Sequence, residues 1–113
     1  MKLIKLPFEI GKEYENWEFD LEILNTERIK GFDSYIYIRE IVFLGVNPRY
    51  TELIFSLDVL QVVIMVFEFN SLAEQNLFQQ KIEQREFLCI QYSDEYKIEI
   101  TYGNSKYLET IYK

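Results

Sequence analysis

The chain has 113 residues, a net charge of −7 and an isoelectric point near 4.6, with 49% hydrophobic and 17% aromatic residues. This composition excludes a disordered chain, which would be poor in aromatic and β-branched residues, and the length suits a single domain over residues 1–113. The acidic balance argues against binding to nucleic acid or to an anionic membrane, because both require a basic surface.

The first part of the chain is predicted to form strands. "KLIKL" (residues 2–6) is typical of a short first strand. "WEFDLEIL" (residues 17–24) alternates apolar and acidic residues with the period of two that marks a half-buried strand. This pattern predicts one face in the core and the other in solvent. The predicted core residues are Trp17, Phe19, Leu21 and Ile23, and the predicted solvent-facing residues are Glu18, Asp20 and Glu22.

The middle of the chain is richer in β-forming residues. "YIYIREIVFL" (residues 35–44) predicts a long central strand, and the turn "GVNPR" follows it. Residues 50–57 and 58–69 are predicted to form two strands or one long bent strand. Residues 62–66 are apolar at every position, which favours burial on both faces of the sheet.

One segment has the pattern of a helix, over residues 72–85. Ser71 followed by Glu74 is a capping box, so Ser71 is the predicted N-cap. The apolar positions form a narrow stripe along one side of this helix, while Gln and Glu residues occupy the rest. The stripe consists of Leu72, Leu77, Phe78 and Ile82.

Three more strands are predicted to complete the chain, over residues 87–92, 96–102 and 106–112, with hairpin turns at "SDE" and "GNS". The predicted fold is therefore α+β. It has a mostly antiparallel, strongly curved sheet of six to eight strands, half-barrel or sandwich-like, and one main helix around residues 72–85.

The residues available for chemistry are few. Histidine is absent, which removes the commonest general base and the commonest zinc ligand, and neither Walker-type nor GxGxxG phosphate-binding loops occur. The single cysteine, Cys89, lies between apolar neighbours and is interpreted as a small buried hydrophobe. We therefore expect neither enzymatic activity nor a bound cofactor or metal. The spacing of Glu18, Asp20 and Glu22 fits paired-carboxylate catalysis, but every alternating acidic strand has the same spacing.

Most of the net charge lies in one stretch of the sequence. Residues 9–27 contain seven carboxylates and a single basic residue, Lys12, which gives this stretch a net charge of −6. Nine tyrosines, a residue type that suits protein interfaces, are spread along the chain. We interpret Arg39 as a salt-bridge partner of a carboxylate. The predicted partner-binding residues are Glu13, Tyr14, Glu15, Glu18, Asp20 and Glu22.

In size and composition the chain resembles bacterial immunity proteins and antitoxins, which are often small and acidic and which bind a toxin. The resemblance implies a basic protein partner, such as a toxin nuclease. A cytoplasmic location is expected from the single cysteine and from the lack of a signal-peptide pattern.

Three other functions stay open. The first is a carrier whose curved sheet encloses an apolar cavity lined by Phe43, Phe55, Phe67 and Phe69. The second is a structural subunit or homodimer joined through an edge strand. The third is a small enzyme that depends on carboxylates.

Overall fold

The computed structural model describes residues 2–3, 6–86 and 89–111. The fold is α+β, as predicted, and within these residues it has a mainly antiparallel sheet of six strands and one main helix. The sheet is open and somewhat curved, where the prediction was a strongly curved, half-barrel or sandwich-like sheet. The elements are β1 (Lys2–Leu3), β2 (Leu21–Leu24), β3 (Asp33–Tyr37), β4 (Tyr50–Ser56), β5 (Val59–Glu68), α1 (Leu72–Glu83), β6 (Arg85–Glu86), β7 (Cys89–Asp94), β8 (Lys97–Gly103) and α2 (Ser105–Ile111).

The six-stranded sheet has the order β2-β3-β4-β5-β8-β7, so β2 and β7 are its edges. Every neighbouring pair in this sheet is antiparallel. The short strands β1 and β6 pair in parallel as a separate two-stranded sheet. Within the described residues, we find no helix that is long and apolar enough to cross a membrane.

Strand β5 lies at the centre of the core, with both faces covered. Met65 and Phe67 belong to the larger apolar cluster, which includes Phe78 and Ile82 of α1. Ile64 belongs to a second cluster on the opposite face, which includes Leu108 of α2. The prediction that residues 62–66 are buried on both faces is confirmed for Val62, Val63, Ile64 and Met65, while Val66 is half-buried.

Helix α1 begins as predicted. The Ser71 side chain accepts a hydrogen bond of 3.2 Å from the backbone N–H of Glu74, and the Glu74 carboxylate accepts one from the N–H of Asn70. These bonds satisfy N–H groups that have no partner inside the helix. The apolar stripe is only half correct, because Leu72 and Leu77 are exposed.

The predicted strand over residues 17–24 is wrong before Leu21. Residues 14–16 and 18–20 form short 3₁₀ helices, and only Leu21–Leu24 are a strand. The helical turn brings Tyr14 and Trp17 to one side, where the two rings lie 5.6 and 6.1 Å from the ring of Phe55. A strand would direct these two rings to opposite faces, so packing against Phe55 overrides the alternation.

Two residues that the alternation places in the core are exposed. The side chain of Phe19 is 87% exposed and that of Ile23 is 64% exposed. Phe19 lies in the second 3₁₀ helix, and Ile23 lies in the edge strand β2, beyond the half-buried Leu21. Trp17 and Leu21 are half-buried against the larger cluster, so that part of the prediction holds.

The predicted strand over residues 35–44 ends at Tyr37, and β3 is second from an edge instead of central. After it, the backbone makes a tight turn at Leu44 and Gly45, closed by hydrogen bonds between Phe43 and Val46. The turn places the Phe43 ring 6.3 Å from Phe78 of α1, in the core. This contact with the helix explains why the chain leaves the sheet.

The predicted last strand, over residues 106–112, is wrong because Ser105–Ile111 form α2. Asn104 begins the helix, since its side-chain oxygen accepts a hydrogen bond from the N–H of Lys106. The helical period turns Tyr107 and Leu108 toward the second cluster, where the Tyr107 ring lies 4.7 Å from Phe32. The predicted turn at "GNS" is therefore a strand-to-helix junction.

The other predictions for the C-terminal half hold in part. Strands β7 and β8 form a hairpin with Asp94 opposite Lys97, so its turn is Glu95 and Tyr96 and not the predicted residues 93–95. Phe87 and Leu88, in the predicted strand 87–92, lie outside the described residues, as do Ile4 and Lys5 of the predicted first strand. The side chain of Cys89 is also outside the described part of the structure, so its predicted burial stays a prediction.

The turn between β4 and β5 has a sequence that does not suit its backbone. Leu57 and Asp58 have φ angles of 50° and 65°, and the Leu57 side chain is 95% exposed. A two-residue hairpin with positive φ at both positions favours Asn-Gly. Leucine in this conformation costs about 1–2 kcal/mol. We expect Leu57→Asn to raise the free energy of unfolding by about 0.5–1 kcal/mol, as measured by urea denaturation.

Leu57→Ala is the matched control, because it removes the exposed side chain and keeps a residue that disfavours positive φ. It should change stability much less than Leu57→Asn. An asparagine variant less stable than the parent would show that the leucine makes an unrecognised favourable contact.

Tyr102 gives the fold a dependence on alkaline pH. Its buried hydroxyl accepts a hydrogen bond of 3.1 Å from the N–H of Phe8 and donates one of 2.8 Å to the carbonyl of Phe8. Burial raises the pKa of Tyr102 above its usual value, and the Phe8 N–H offsets part of this increase. The unfolded chain therefore releases this proton near pH 10 while the folded protein keeps it, so stability falls as pH rises above about 10.

We expect the free energy of unfolding to fall by up to about 1.4 kcal/mol per pH unit above pH 10 for such a tyrosine. Tyr102→Phe should be about 1–2 kcal/mol less stable at pH 8, because the N–H and the carbonyl of Phe8 both lose their hydrogen bond to the Tyr102 hydroxyl. Its stability should decline less steeply above pH 10 than that of the parent. Parallel curves for the two proteins, measured by urea denaturation between pH 8 and 11, would contradict this role of Tyr102.

Candidate functional site

The residues predicted to bind a partner follow one another along the chain, from Glu13, which forms a β-bridge with Val59 beside the β4–β5 hairpin, to Glu22 in the edge strand β2. We call this surface the acidic edge and define it as Glu13, Glu15, Glu18, Phe19, Glu22 and Ile23. The first three carboxylates lie in or beside the two 3₁₀ helices, and Glu22 and Ile23 lie in β2. All six residues are exposed.

The four carboxylates of the acidic edge have no cationic partner in the described part of the chain. Salt bridges do form nearby, between Lys12 and Glu9 and between Arg39 and Asp20, but none includes these four residues. Glu13 and Glu15 line an open pocket of about 370 Å³ with Gly11, Lys12 and Asn16. The acidic edge is therefore a solvated negative surface that is available to a cation.

Asp20 does not share this availability. Its Oδ1 lies 2.6 Å from Nε of Arg39, and its backbone carbonyl accepts a hydrogen bond of 2.9 Å from the N–H of Ile38. The carboxylate raises the pKa of Arg39 by hydrogen bonding to the guanidinium. The predicted salt bridge of Arg39 is thus confirmed, and Asp20 serves to join the start of β2 to the end of β3.

Tyr14, which lies between Glu13 and Glu15 in the sequence, packs against the sheet. Its half-buried ring lies 5.2 Å from the ring of Tyr35 and 5.6 Å from that of Phe55. Its N–H donates a hydrogen bond of 2.7 Å to the carbonyl of Asp58. These contacts hold the first 3₁₀ helix against the β4–β5 hairpin, and they fix Glu13 and Glu15 on either side of Tyr14.

Phe19 is the functional candidate that the sequence pattern hides. The ring stands almost fully in solvent between Glu18 and Asp20. Alternation with acidic residues is the pattern of a core-facing residue in a strand, so it gives the wrong environment for this position. A phenylalanine exposed to this degree among carboxylates has the character of an interface anchor with a charged rim.

A second group that the sequence does not reveal is a buried ionic cluster at Glu52. The Glu52 side chain is 1% exposed, and it accepts hydrogen bonds of 2.8 Å from both Nε and Nη2 of Arg28. The hydroxyl of Tyr50 donates a bond of 2.6 Å to the same carboxylate. Burial, followed by the Glu52 carboxylate, raises the pKa of Tyr50 to about 12, while Glu52 raises the pKa of Arg28.

This cluster has a structural character. The two oxygens of Glu52 receive three charge-assisted or short hydrogen bonds, two from Arg28 and one from Tyr50, which fix the position of the carboxylate. Its partners come from distant parts of the sequence, since Arg28 precedes β3 and Glu52 lies in β4. The cluster therefore joins the loop after β2 to the centre of the sheet.

The phenylalanines proposed to line a ligand cavity lie inside the core. Phe43, Phe55, Phe67 and Phe69 are all buried in the larger apolar cluster. Phe67 and Phe69 have ring centroids 4.6 and 5.4 Å from that of Phe78 of α1. The Phe43 ring contacts those of Phe67 and Phe78, and the Phe55 ring contacts Tyr14, Trp17 and Tyr35, so all four phenylalanines contribute to packing.

The carboxylates of the acidic edge do not converge on one point. Among the described residues, no group of three or more carboxylate or thiol side chains is placed to hold a metal ion. Glu13 and Glu15 share a pocket, Glu18 and Phe19 follow in the next helical turn, and Glu22 lies in β2. The carboxylates are therefore spread along the segment from Glu13 to Glu22.

The comparisons with known proteins add no relative. The chain matches none of the models of known protein families, none of the curated proteins and none of the solved structures. Its function is therefore argued from the geometry of the acidic edge.

Proposed function

We propose that this chain is a small acidic binding protein that neutralises a basic protein partner, and that the partner is a bacterial toxin nuclease. Its role is then that of an immunity protein or antitoxin acting in the cytoplasm, by binding and without catalysis of its own. The observation that carries the proposal is the acidic edge, where four exposed carboxylates without a cationic partner among the described residues lie on the same segment as the exposed ring of Phe19.

In this proposal, the carboxylates of the acidic edge determine how fast the partner binds, and the Phe19 ring determines how slowly it dissociates. Carboxylates on an exposed surface attract a basic protein over several ångströms and raise the association rate, an effect that salt reduces. A nuclease that binds phosphates presents cationic groups, so a row of carboxylates can occupy the positions of those phosphates. An exposed aromatic ring supplies the buried contact that slows dissociation.

Co-expression with the product of the neighbouring gene tests the proposal. We expect a complex that survives purification and an association rate that falls as salt is raised. Glu15→Lys, Glu18→Lys and Glu22→Lys combined should lower the association rate about tenfold or more. The matched control reverses three exposed carboxylates outside the acidic edge, Glu40, Glu83 and Glu95, and changes the net charge equally. The failure of any complex to form, or equal losses for both variants, would refute the proposal.

Phe19→Ala separates the aromatic anchor from the charges. Because the ring is 87% exposed, we expect the free energy of unfolding to change by less than about 0.5 kcal/mol. The loss of an interface hot spot costs at least about 2 kcal/mol, so affinity for the partner should fall about thirtyfold or more. Calorimetric titration measures this. Unchanged affinity would exclude Phe19 from the interface.

A further inference from the structure

The acidic edge also has an unpaired strand backbone. Within the described residues, β2 pairs with β3 on one side only, with Glu22 opposite Ile36 and Ile23 opposite Tyr35. The other side of β2 is an edge of the sheet. A strand edge of this kind presents N–H and C=O groups that a further strand can pair with.

The backbone groups that face this edge can be identified. The N–H of Ile38 donates to the carbonyl of Asp20, which marks Asp20 and Ile38 as a hydrogen-bonded pair. Hydrogen-bonded and non-bonded pairs alternate along an antiparallel ladder. Glu22 and Leu24 therefore bond to β3, while Leu21 and Ile23 direct their N–H and C=O groups to the open side.

The side chains of β2 define what an added strand would carry. Leu21 and Ile23 lie opposite Tyr37 and Tyr35, on the face of the larger cluster, while Glu22 lies on the other face. Directly opposite residues of paired strands lie on the same face. An added strand would place an apolar residue beside Ile23 and, one position along, a basic residue beside Glu22.

We infer that β2 binds an extended segment of the basic partner as a seventh strand, a segment in which basic and apolar residues alternate. This inference rests on the proposed function and names the mode of recognition at the acidic edge. Main-chain hydrogen bonds at Leu21 and Ile23 hold the segment, and Glu22 together with Glu18 selects for basic side chains.

The negative charge of residues 9–27 favours a basic segment of the partner over a second copy of this chain as the added strand. Pairing two β2 strands would bring two Glu22 carboxylates close together, along with the flanking residues 9–27 of each copy, which have a net charge of −6. Like charges opposite each other destabilise strand pairing. An edge that only resists aggregation would present charged side chains. Phe19 and Ile23 instead remain exposed beside these carboxylates, which suits an apolar contact with a partner.

Amide exchange with a synthetic peptide tests the inference. The probe is an acetylated and amidated heptapeptide of alternating lysine and valine. A peptide of the same composition with valines and lysines in two blocks keeps the charge and loses the alternation, and a peptide of alternating glutamate and valine reverses the charge. We expect only the first peptide to slow exchange of the Leu21 and Ile23 amides, by about tenfold or more at saturation.

Substitutions of Ile23 provide the matched pair. Ile23→Pro removes an outward N–H without removing a bond to β3, and proline is tolerated at such positions of edge strands. Ile23→Ala keeps the N–H. The proline variant should bind the alternating peptide about fivefold more weakly than the alanine variant, the effect of about one hydrogen bond.

Three results would overturn the inference. In the first, the alternating and block peptides bind equally and leave the Leu21 and Ile23 amides unprotected, so recognition is by charge alone and the proposed function stands. In the second, none of the peptides binds. In the third, these amides become protected in the free protein as its concentration rises, which would make a second copy the occupant.

Discussion

Arg28→Ala is expected to lower the free energy of unfolding by about 3–5 kcal/mol, because it leaves the carboxylate of Glu52 buried without its cation. Glu52 is 1% exposed and receives two hydrogen bonds from Arg28, whereas Arg28 itself is 40% exposed. The cost therefore arises mainly at Glu52, which is the more deeply buried of the two partners. Urea denaturation followed by the fluorescence of Trp17, the single tryptophan, measures the loss.

The combined change of Arg28→Met and Glu52→Leu separates the cost of an unpaired charge from the value of the pair. Replacing both partners of a buried ion pair with apolar residues of similar size is often close to neutral. We expect the double variant to recover most of the stability that Arg28→Ala loses. If the double variant is as unstable as Arg28→Ala, the fold requires the side-chain packing of Arg28 or the hydrogen bond that Tyr50 donates to Glu52, and not the charge of Arg28.

Gly103→Ala is expected to lower the free energy of unfolding by about 2–4 kcal/mol, from backbone strain and steric overlap together. Gly103 has a φ of +147°, and a Cβ atom there would lie 2.3 Å from the carbonyl oxygen of Gln61 and 2.8 Å from Cα of Val62. The carbonyl of Gln61 is held in place by a hydrogen bond of 2.8 Å from the N–H of Asn104. Because the overlapping atoms are backbone, they cannot move aside as a flexible side chain would.

Gly31→Ala is the matched control for this prediction. Gly31 has a φ of +86°, but a Cβ atom there would meet nothing within 4 Å. The control therefore carries the strain of positive φ without the overlap and should cost about 1 kcal/mol. Equal losses at the two positions, measured by thermal and urea denaturation, would show that the close approach of β8 to β5 does not limit the residue at position 103.

The sequence predicts the elements whose pattern is long and unambiguous. The continuous apolar run of β5 requires cover on both faces, and the structure provides α1 on one face and α2 on the other. The capping box at Ser71 places the start of α1 correctly because the signal is local. The wrong predictions concern short segments, where long-range contacts decide the conformation, such as Trp17 with Phe55 and Leu108 with the second cluster.

The acidic edge could be predicted only in part. The excess of carboxylates is a property of composition, so Glu13, Glu15, Glu18 and Glu22 are recognised without a fold. The pairing of Asp20 with Arg39 depends on where β2 and β3 begin and end, and the fully exposed ring of Phe19 depends on a 3₁₀ helix in place of a strand. Neither has a local signal, and the open side of β2 follows only from the order of the strands.

The measurement that tests the central claim most directly is amide exchange of the chain alone and in complex with the product of the neighbouring gene. The acidic edge as the binding surface predicts slower exchange on complex formation within residues 13–24, strongest at Leu21 and Ile23. It predicts little change in α1 or in the β7–β8 hairpin. A complex that protects those distant elements and leaves residues 13–24 unchanged would contradict the claim, as would the absence of a complex.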